Sequence, residues 1–279
     1  MANENTISTA FVEEFEAGIK LAYQRMGSKL RNTVRTRNST TKNKVTFQKA
    51  GKGAASQKAR AGDIKPMNIE HTNVNVTLED WFAGEWIDDL DLLRVEHDEF
   101  MVAQQSGAAA LGRKTDDQII DACETTTTTS NETTNGITLA YCLGLLETMG
   151  NNDVPDDGDR YAIVAWENWT QLLAIEQFAS QDYVPTDAMP FTEGTQAKKW
   201  LSFTWIPHSG LDSINSDADR RGLFYHRTAV GHAVGKDVSL NLQYYNTKDS
   251  HFSLAKMQMN AVLIDAMAAS KQTLRNRGH

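Results

Sequence analysis

Residues 47–62 read FQKAGKGAASQKARAG. The stretch has no acidic side chain and four basic ones: Lys49, Lys52, Lys58 and Arg60. Its other residues are mostly Gly, Ala, Ser and Gln, which offer too little apolar surface to form a core. Segments 45–49 and 73–78 on either side alternate with the period of a β-strand. The sequence therefore predicts a long two-stranded hairpin with a cationic tip. Because an isolated ribbon is only marginally stable in water, we expect contacts outside the ribbon to support it.

Charge is distributed unevenly along the 279 residues. The formal net charge is −8, from 28 Lys and Arg against 36 Asp and Glu. Residues 20–65 hold 13 Lys and Arg against Asp63 alone, whereas residues 66–112 hold ten Asp and Glu against Arg94 alone. This segregation favours two alternatives, in which the basic region binds nucleic acid or binds the acidic part of another copy. The third alternative is that neither region binds a partner and both are simply exposed to solvent.

Length and composition bound the class of protein. A chain of this length forms one large domain or two medium ones, and 40% hydrophobic residues are enough for a sizeable core. No run of 18 apolar residues occurs and the N-terminus lacks the pattern of a signal peptide, so we expect no membrane partner. The two cysteines, Cys123 and Cys142, are too few for a disulfide framework, and a reducing compartment is the default.

The sequence contains none of the common catalytic or nucleotide-binding fingerprints. His226 and His232 lie six residues apart, which matches no helical pair of metal ligands, and the cysteines lack a C-x-x-C pattern. Residues 153–159 (DVPDDGD) lack the alternating order and closing Glu of a calcium loop. We therefore expect no enzyme, no metal and no cofactor, and interpret the six tryptophans as core or interface anchors.

Periodicity indicates helices and strands in alternation along the rest of the chain. A polar, Arg-rich arm over 29–44 separates the first helix from the hairpin. The long helix predicted over 89–112 is capped by Asp88 or Asp89, with carboxylates in its first turns, where the helix dipole favours them. Period alone does not separate helix from strand over 250–270. The other predictions are helices over 8–26, 116–123, 137–149 and 167–178; strands over 161–165, 199–206 and 238–244; a surface loop over 125–134; and a strand start followed by a helix over 223–234.

Taken together, this order of elements resembles the major capsid proteins of tailed bacteriophages, which have the Hong Kong 97-type capsid fold. Local segments that carry the resemblance are 110–122 (ALGRKTDDQIIDA), 154–164, 169–173, 180–183, 225–233 (YHRTAVGHA) and 251–265. Their specificity lies in their order, which covers nearly the whole chain, because none of them is a catalytic fingerprint.

The resemblance implies an α+β fold with four named parts: an N-arm, an extended E-loop hairpin, a P-domain with a long spine helix, and an A-domain. On this sequence we assign the N-terminal arm to 1–44, the E-loop hairpin to 45–80, the P-domain with its spine helix to 81–135, the A-domain to 136–236, and the return to the P-domain with the C-terminus to 237–279.

The resemblance also implies a function: self-assembly into the icosahedral shell that encloses a phage genome. In such proteins the E-loop lies across the adjacent subunit, near its spine helix, and this sequence places opposite charges at those two positions. The predicted intersubunit contacts are Arg31, Arg35, Arg37, Lys49, Lys52, Lys58, Arg60, Asp88, Asp89, Asp91, Glu96, Asp98 and Glu99.

The partners implied are further copies of the chain, as hexamers and pentamers, together with scaffolding, portal and decoration proteins. Double-stranded DNA would be enclosed without sequence reading, because a net charge of −8 does not suit tight wrapping of phosphates. The location implied is the virion, after assembly in the cytoplasm of a host bacterium. Two alternatives stay open: an encapsulin-like nanocompartment shell, and a nucleic-acid-binding protein that uses the basic N-terminal region.

Overall fold

A computed structural model of the chain describes residues 27–38, 43–92, 98–132, 136–179, 198–211, 213–214 and 219–275. Within these residues the fold is α+β and contains three sheets. Two of the sheets each pack against helices and carry most of the core, and the third is a two-stranded ribbon. The helix predicted over 8–26 lies outside the described residues.

The first sheet has four strands in the order β1 (Arg35–Asn38), β11 (Val230–Tyr245), β12 (Ser250–Leu263) and β4 (Glu79–Asp88). Strand β1 is parallel to β11, and the other pairs are antiparallel. After the short helix α1 (Asp89–Leu92), helix α2 (Glu99–Glu124) lies on one face of this sheet. Its 26 residues span about 39 Å at 1.5 Å per residue.

Residues on one side of α2 explain its length and its packing. Leu111 packs with Val234, Ala255 and Met257 of the four-stranded sheet. Buried residues then continue at intervals of four through Thr115, Ile119 and Cys123, so one apolar stripe runs along the second half of the helix.

The second sheet has seven strands, which follow the order β5 (Thr129–Glu132), β13 (Ala269–Arg275), β10 (Asp219–His226), β6 (Arg160–Val164), β8 (Phe203–Pro207) and β7 (Lys198–Trp200), with β9 (Ser213–Ile214) paired to β10. Helices α3 (Leu139–Asn151), α4 (Trp166–Leu173) and α5 (Glu176–Ala179) accompany it. Its core is rich in rings that meet mostly edge to face, with centroids 5.2 to 6.2 Å apart, a favourable geometry. The rings belong to Trp169, Phe178, Trp200, Phe203, Trp205 and Phe224.

The ribbon consists of β2 (Lys44–Ala50) and β3 (His71–Thr77), which are antiparallel. Its base is anchored on its own chain, because Phe47 is fully buried and packs with Val45, Val76, Ala233 and Ile264. Pairing extends past β2 and β3 by one backbone hydrogen bond of 2.8 Å, from Gly51 to Glu70. We call residues 51–70 the tip; nearly all of them are exposed. Residues 47–62 were expected to contribute too little apolar surface for a core, and this expectation is wrong at Phe47.

Several sequence predictions are confirmed by the structure. Strands occupy all or most of 45–49, 73–78, 161–165 and 238–244, where strands were predicted, and a helix occupies most of 137–149. These elements are local in origin, because the periodicity of their own side chains specifies them.

Other predictions of secondary structure are wrong. Helix α2 does not end at 112 but continues to Glu124 and includes the separate helix predicted over 116–123. Part of the predicted loop over 125–134 is strand β5, which pairs in parallel with β13. The predicted strand over 199–206 is two strands separated by a turn at Leu201 and Ser202, both with positive φ. Helix 167–178 is likewise two helices, α4 and α5.

The helix predicted within 223–234 is wrong for a reason of packing. This Ala- and Gly-rich run forms the end of β10, a short 3-10 helix (Arg227–Ala229) and the start of β11. The small residues are needed for close approach rather than for helix formation. At Gly231, an added Cβ would lie 2.8 Å from the ring of Phe47.

Candidate assembly surfaces

Two of the four basic residues in 47–62 form ion pairs within the chain. Lys49 Nζ lies 2.8 Å from Asp265 Oδ1, and Lys52 pairs with Asp153, whose pKa the lysine lowers. Both side chains of the second pair are about three-quarters exposed, so its contribution to stability is small. The contact of Lys49 and Lys52 with a neighbouring subunit stays a prediction, and it would have to replace or share these partners.

The other two cations lie in the tip. Lys58 and Arg60 are exposed and form no ion pair with any residue that the structure describes. Beside them, apolar side chains are also open to solvent: Ile64 is 76% exposed and Met67 is 51% exposed. Met67 lies directly over Gly53, where an added Cβ would be 2.3 Å from its sulfur. The tip thus combines positive charge with apolar surface, as interface residues do.

Residues 27–38 form a segment that we call the strap, and it carries the three predicted arginine contacts. Arg31 forms two hydrogen bonds with Asp237, of 3.0 and 2.8 Å, which raise the pKa of the arginine and lower that of the carboxyl. The guanidinium of Arg35 lies 5.8 Å from the ring of Phe47. Arg37 donates to the carbonyl oxygen of Thr46. The arginines therefore have partners within the chain.

The predicted acidic contacts surround the start of the two helices. Asp88 accepts a 2.9 Å hydrogen bond from the backbone of Leu90, and Asp89 lies 3.8 Å from His251 Nε2. The N-cap of α2 is Asp98 rather than Asp88 or Asp89, because its side chain accepts from Met101 N at 3.2 Å. Glu99 lies in the first turn of α2. The side chain of Asp91 and the whole of Glu96 lie outside what the structure describes.

An aromatic cluster on the outer strand of the four-stranded sheet was not singled out from the sequence. Phe82 is 64% exposed and Trp86 is 44% exposed, on the face of β4 opposite to α2. The ring of Trp86 lies 5.2 Å from that of Tyr245 and 4.5 Å from that of Phe252, with Lys248 Nζ 3.9 Å above it. The spacing of Phe82 and Trp86 on an alternating strand was the signal available in the sequence.

A buried polar junction at Asp116 was also missed. Its carboxylate accepts hydrogen bonds from the Ser28 hydroxyl, from the backbone N–H groups of Lys29 and Leu30, and from His208 Nε2. Gly210 N–H donates to His208 Nδ1 at 3.0 Å, so the ring proton lies on Nε2 and points at the carboxylate. Burial alone would raise the pKa of Asp116, but these hydrogen bonds outweigh it and hold the pKa below its usual value.

The described residues contain no group of three or more His, Cys, Asp or Glu side chains placed to hold a metal ion. Cys123 and Cys142 are buried and unpaired, and burial raises the pKa of the Cys142 thiol to about 12. In the same part of the chain, no helix is long and apolar enough to cross a membrane.

Solved structures with the same fold are phage capsids and related particles. The chain is similar to the capsid protein of cyanophage Pam1 over 100% of both chains (TM-score 0.74, 12% identity). It is also similar to that of cyanophage P-SCSP1u over 97% of this chain and 95% of the other (TM-score 0.72, 15% identity). A virus-like particle from Pyrococcus furiosus matches 88% of this chain and 92% of its own, with TM-score 0.59 and 11% identity. No curated protein matches the sequence significantly.

A ribbon, a long helix on a four-stranded sheet and a second, ring-packed sheet therefore define a capsid protein of the Hong Kong 97-type fold. The family model described as "Phage capsid protein" matches residues 7–271, and the chain belongs to that family. It is a major capsid protein, a subunit of the icosahedral shell of a bacteriophage.

Proposed function

We propose that the subunits join through the tip of the ribbon, which lies on the acidic region of a neighbouring subunit around β4 and the start of α2. The observation that carries this proposal is the contrast within the ribbon. Its base is buried on its own chain at Phe47, whereas Lys58, Arg60 and Ile64 in the tip are exposed. Exposed charge beside exposed apolar surface is suited to a partner surface of opposite charge.

The receiving surface is argued from β4. This strand lies at the edge of the four-stranded sheet and carries four exposed carboxylates, no basic residue and the exposed rings of Phe82 and Trp86. The carboxylates belong to Glu79, Asp80, Glu85 and Asp88. Lys248 and Lys256 of the adjoining strand and turn moderate the negative charge, so we expect the rings to contribute affinity and the carboxylates to contribute orientation.

Weak single contacts suffice for a closed shell. An exposed ion pair contributes only about 0–1 kcal/mol. Because the same contact repeats around every ring of subunits, multivalency makes the assembly stable while misplaced subunits can still leave. A contact between two different patches of neighbouring copies is heterologous, and such contacts form a ring where the rotation from one subunit to the next closes. We propose that these rings are the hexamers and pentamers of the shell.

The other partners and the location follow from membership of the capsid family. We propose that the role is purely structural, without enzymatic activity or cofactor. We also propose assembly in the host bacterial cytoplasm, with scaffolding, portal and decoration proteins as partners. Double-stranded DNA would be enclosed without being read, because the net charge of −8 gives the chain no excess of cationic surface.

The test reverses charge at the tip only. We expect the variant Lys58→Glu/Arg60→Glu to remain folded and soluble but to form few shells, as counted by negative-stain electron microscopy. The matched control is Lys199→Glu/Lys236→Glu, which makes the same charge change at two exposed positions outside the tip and should assemble normally. Normal yields of particles from the tip variant would remove this role for the ribbon.

A cargo-bearing compartment is the second candidate, because the virus-like particle from Pyrococcus furiosus shares the fold. Its similarity is lower than that of the cyanophage capsids, which favours the phage shell. Nucleic-acid binding by the isolated subunit is less favoured, since Arg31 and Arg37 are already engaged within the chain. A gel-shift experiment on the unassembled subunit at physiological salt separates it from both shell functions.

A further inference from the structure

The strap crosses α2 at Gly112, where the backbone of the helix leaves no room for a side chain. An added Cβ at Gly112 would lie 2.6 Å from the carbonyl carbon of Gly27. Gly27 itself has a φ of +70°, in the left-handed region that favours glycine. Gly112 is thus required for the close approach and Gly27 for its backbone conformation, and together they fix where the strap meets the helix.

One helical turn further along α2, the carboxylate of Asp116 holds the next three residues of the strap. It accepts from the Ser28 hydroxyl, from Lys29 N at 3.2 Å and from Leu30 N at 3.1 Å. The Ser28 hydroxyl in turn accepts from Arg31 N at 3.1 Å. Asp116 is fully buried, so these charge-assisted bonds are made in a low-dielectric environment, where they are strong.

Beyond this anchor, the strap touches both large sheets. Leu30 and Val34 are buried in the core next to Ile119 of α2. The Thr33 hydroxyl lies 2.6 Å from the hydroxyl of Tyr225 in the seven-stranded sheet. Strand β1 then pairs in parallel with β11 of the four-stranded sheet, with Arg35 opposite Gly231. A shift of one residue at the anchor would move every later strap residue to the other face of its strand.

We propose that Asp116 is a positioning residue: it sets the register of the strap and thereby holds Arg35 and Arg37 against Phe47 and Thr46 at the base of the ribbon. The inference rests on the proposed function only in so far as the ribbon contacts a neighbouring subunit. The anchor itself is a property of the single subunit, because the donors named above, from Ser28, Lys29, Leu30 and His208, belong to the same chain as Asp116.

Trypsin digestion of the unassembled full-length subunit tests the anchor. Lys29 and Arg31 are cleavage sites within the strap, and Lys58 and Arg60 in the exposed tip are internal reference sites. We expect Asp116→Asn to raise the ratio of strap to tip cleavage about tenfold or more, because hydrogen bonds to a charged acceptor are lost. Gly112→Ala should raise the same ratio although it leaves the carboxylate in place. Ser28→Ala, which removes one donor, should have a smaller effect in the same direction.

The control is Asp121→Asn, which removes a carboxylate from the exposed side of the same helix and should leave the ratio unchanged. An unchanged ratio in Asp116→Asn, Gly112→Ala and Ser28→Ala would overturn the proposal. So would a lower unfolding midpoint with equal increases at strap and tip, because Asp116 would then merely stabilise the core. Shell yield, measured separately, reports on assembly: a raised ratio with normal shells would keep the anchor and show that the register of the strap does not affect shell formation.

Discussion

The ring of Phe47 lies against Gly231, so closely that a Cβ at position 231 would be 2.8 Å from two ring carbons and 3.0 Å from Ile264 Cδ1. Phe47 belongs to the ribbon and Gly231 to the strand β11 on which the base of the ribbon rests. The ring of Phe47 therefore occupies the space that a side chain at position 231 would fill. This pair connects the assembly element to the body of the subunit.

The first prediction concerns the contact between Phe47 and Gly231. Gly231→Ala should destabilise the subunit by about 1–3 kcal/mol, because the added methyl group overpacks a buried contact. Phe47→Ala should lower the free energy of unfolding by about 3–5 kcal/mol, because it leaves a cavity. Both values are measured by denaturant unfolding. The control Ile64→Ala, at a position 76% exposed in the tip, should change stability by less than about 0.5 kcal/mol. A loss of similar size in the control would contradict the distinction between base and tip.

The second prediction is a loss of stability in weak acid caused by His232. Burial, followed by the positive charge of Arg31, lowers the pKa of His232 from 6.5 to about 4, against smaller raising effects of Asp237 and Asp116. The unfolded chain then binds a proton between pH 6.5 and 4 that the folded chain does not, so stability falls as pH falls through this window. Over the 2.5 pH units from 6.5 to 4, at about 1.4 kcal/mol per unit, the full loss is at most about 3.5 kcal/mol.

His232→Gln should flatten the dependence of unfolding free energy on pH over this window, as measured by urea denaturation at a series of pH values. The exposed residue His71 provides the matched control, and His71→Gln should leave the slope as it is in the parent protein. An undiminished slope in His232→Gln would assign the acid sensitivity to other groups.

The third prediction concerns a lower range of pH. The folded-state pKa of Asp116 is depressed, so its contribution to stability is complete above the unfolded carboxyl pKa of about 4 and is lost as pH falls through the folded value. Asp116→Asn should therefore be less stable than the parent by a constant amount above about pH 5, and the gap should narrow below about pH 4. Thermal unfolding of both proteins across this range measures the gap; a gap that widens in acid would be inconsistent with an ionised, hydrogen-bonded carboxylate.

The fourth prediction concerns salt. If charges at the tip guide early assembly, raising the ionic strength should slow shell formation, because exposed charges more than a Debye length of about 8–10 Å apart are screened. Light scattering follows the rate. In the Lys58→Glu/Arg60→Glu variant the residual rate should lose this dependence. Assembly of the parent protein at one rate from low to high salt would argue against electrostatic guidance.

How far the sequence leads depends on the range of the interactions. The strands of the ribbon follow from the alternation of residues 45–49 and 73–78, and the order of elements leads to the capsid family, which the comparisons confirm. The sequence did not predict the end of α2, because a glycine such as Gly112 is also typical of the end of a helix. Its packing against Gly27 is visible only in the folded structure. The Ala- and Gly-rich run within 223–234 was predicted as a helix for the same reason, because the close approach of Phe47 to Gly231 is visible only in the folded structure.

The candidate contact residues are a harder case. Counts of charged residues along the chain identified the basic and acidic regions. In the structure, however, Lys49 pairs with Asp265 and Lys52 pairs with Asp153, and both aspartates are distant in sequence and outside the acidic region 66–112. Pairings between residues more than 100 positions apart depend on the folded topology, so charge counts along the chain do not reveal them. Asp116 lies within the segment 110–122 that carried the resemblance, but its partners in the strap become visible only in three dimensions.

Because Phe47 anchors the base of the ribbon on its own subunit, the direction in which the ribbon leaves the body is fixed before a neighbouring subunit binds. In the proposed contact, the conformational entropy that the ribbon loses on joining is then mainly that of the 20 residues from 51 to 70, in addition to the rigid-body freedom that any association removes.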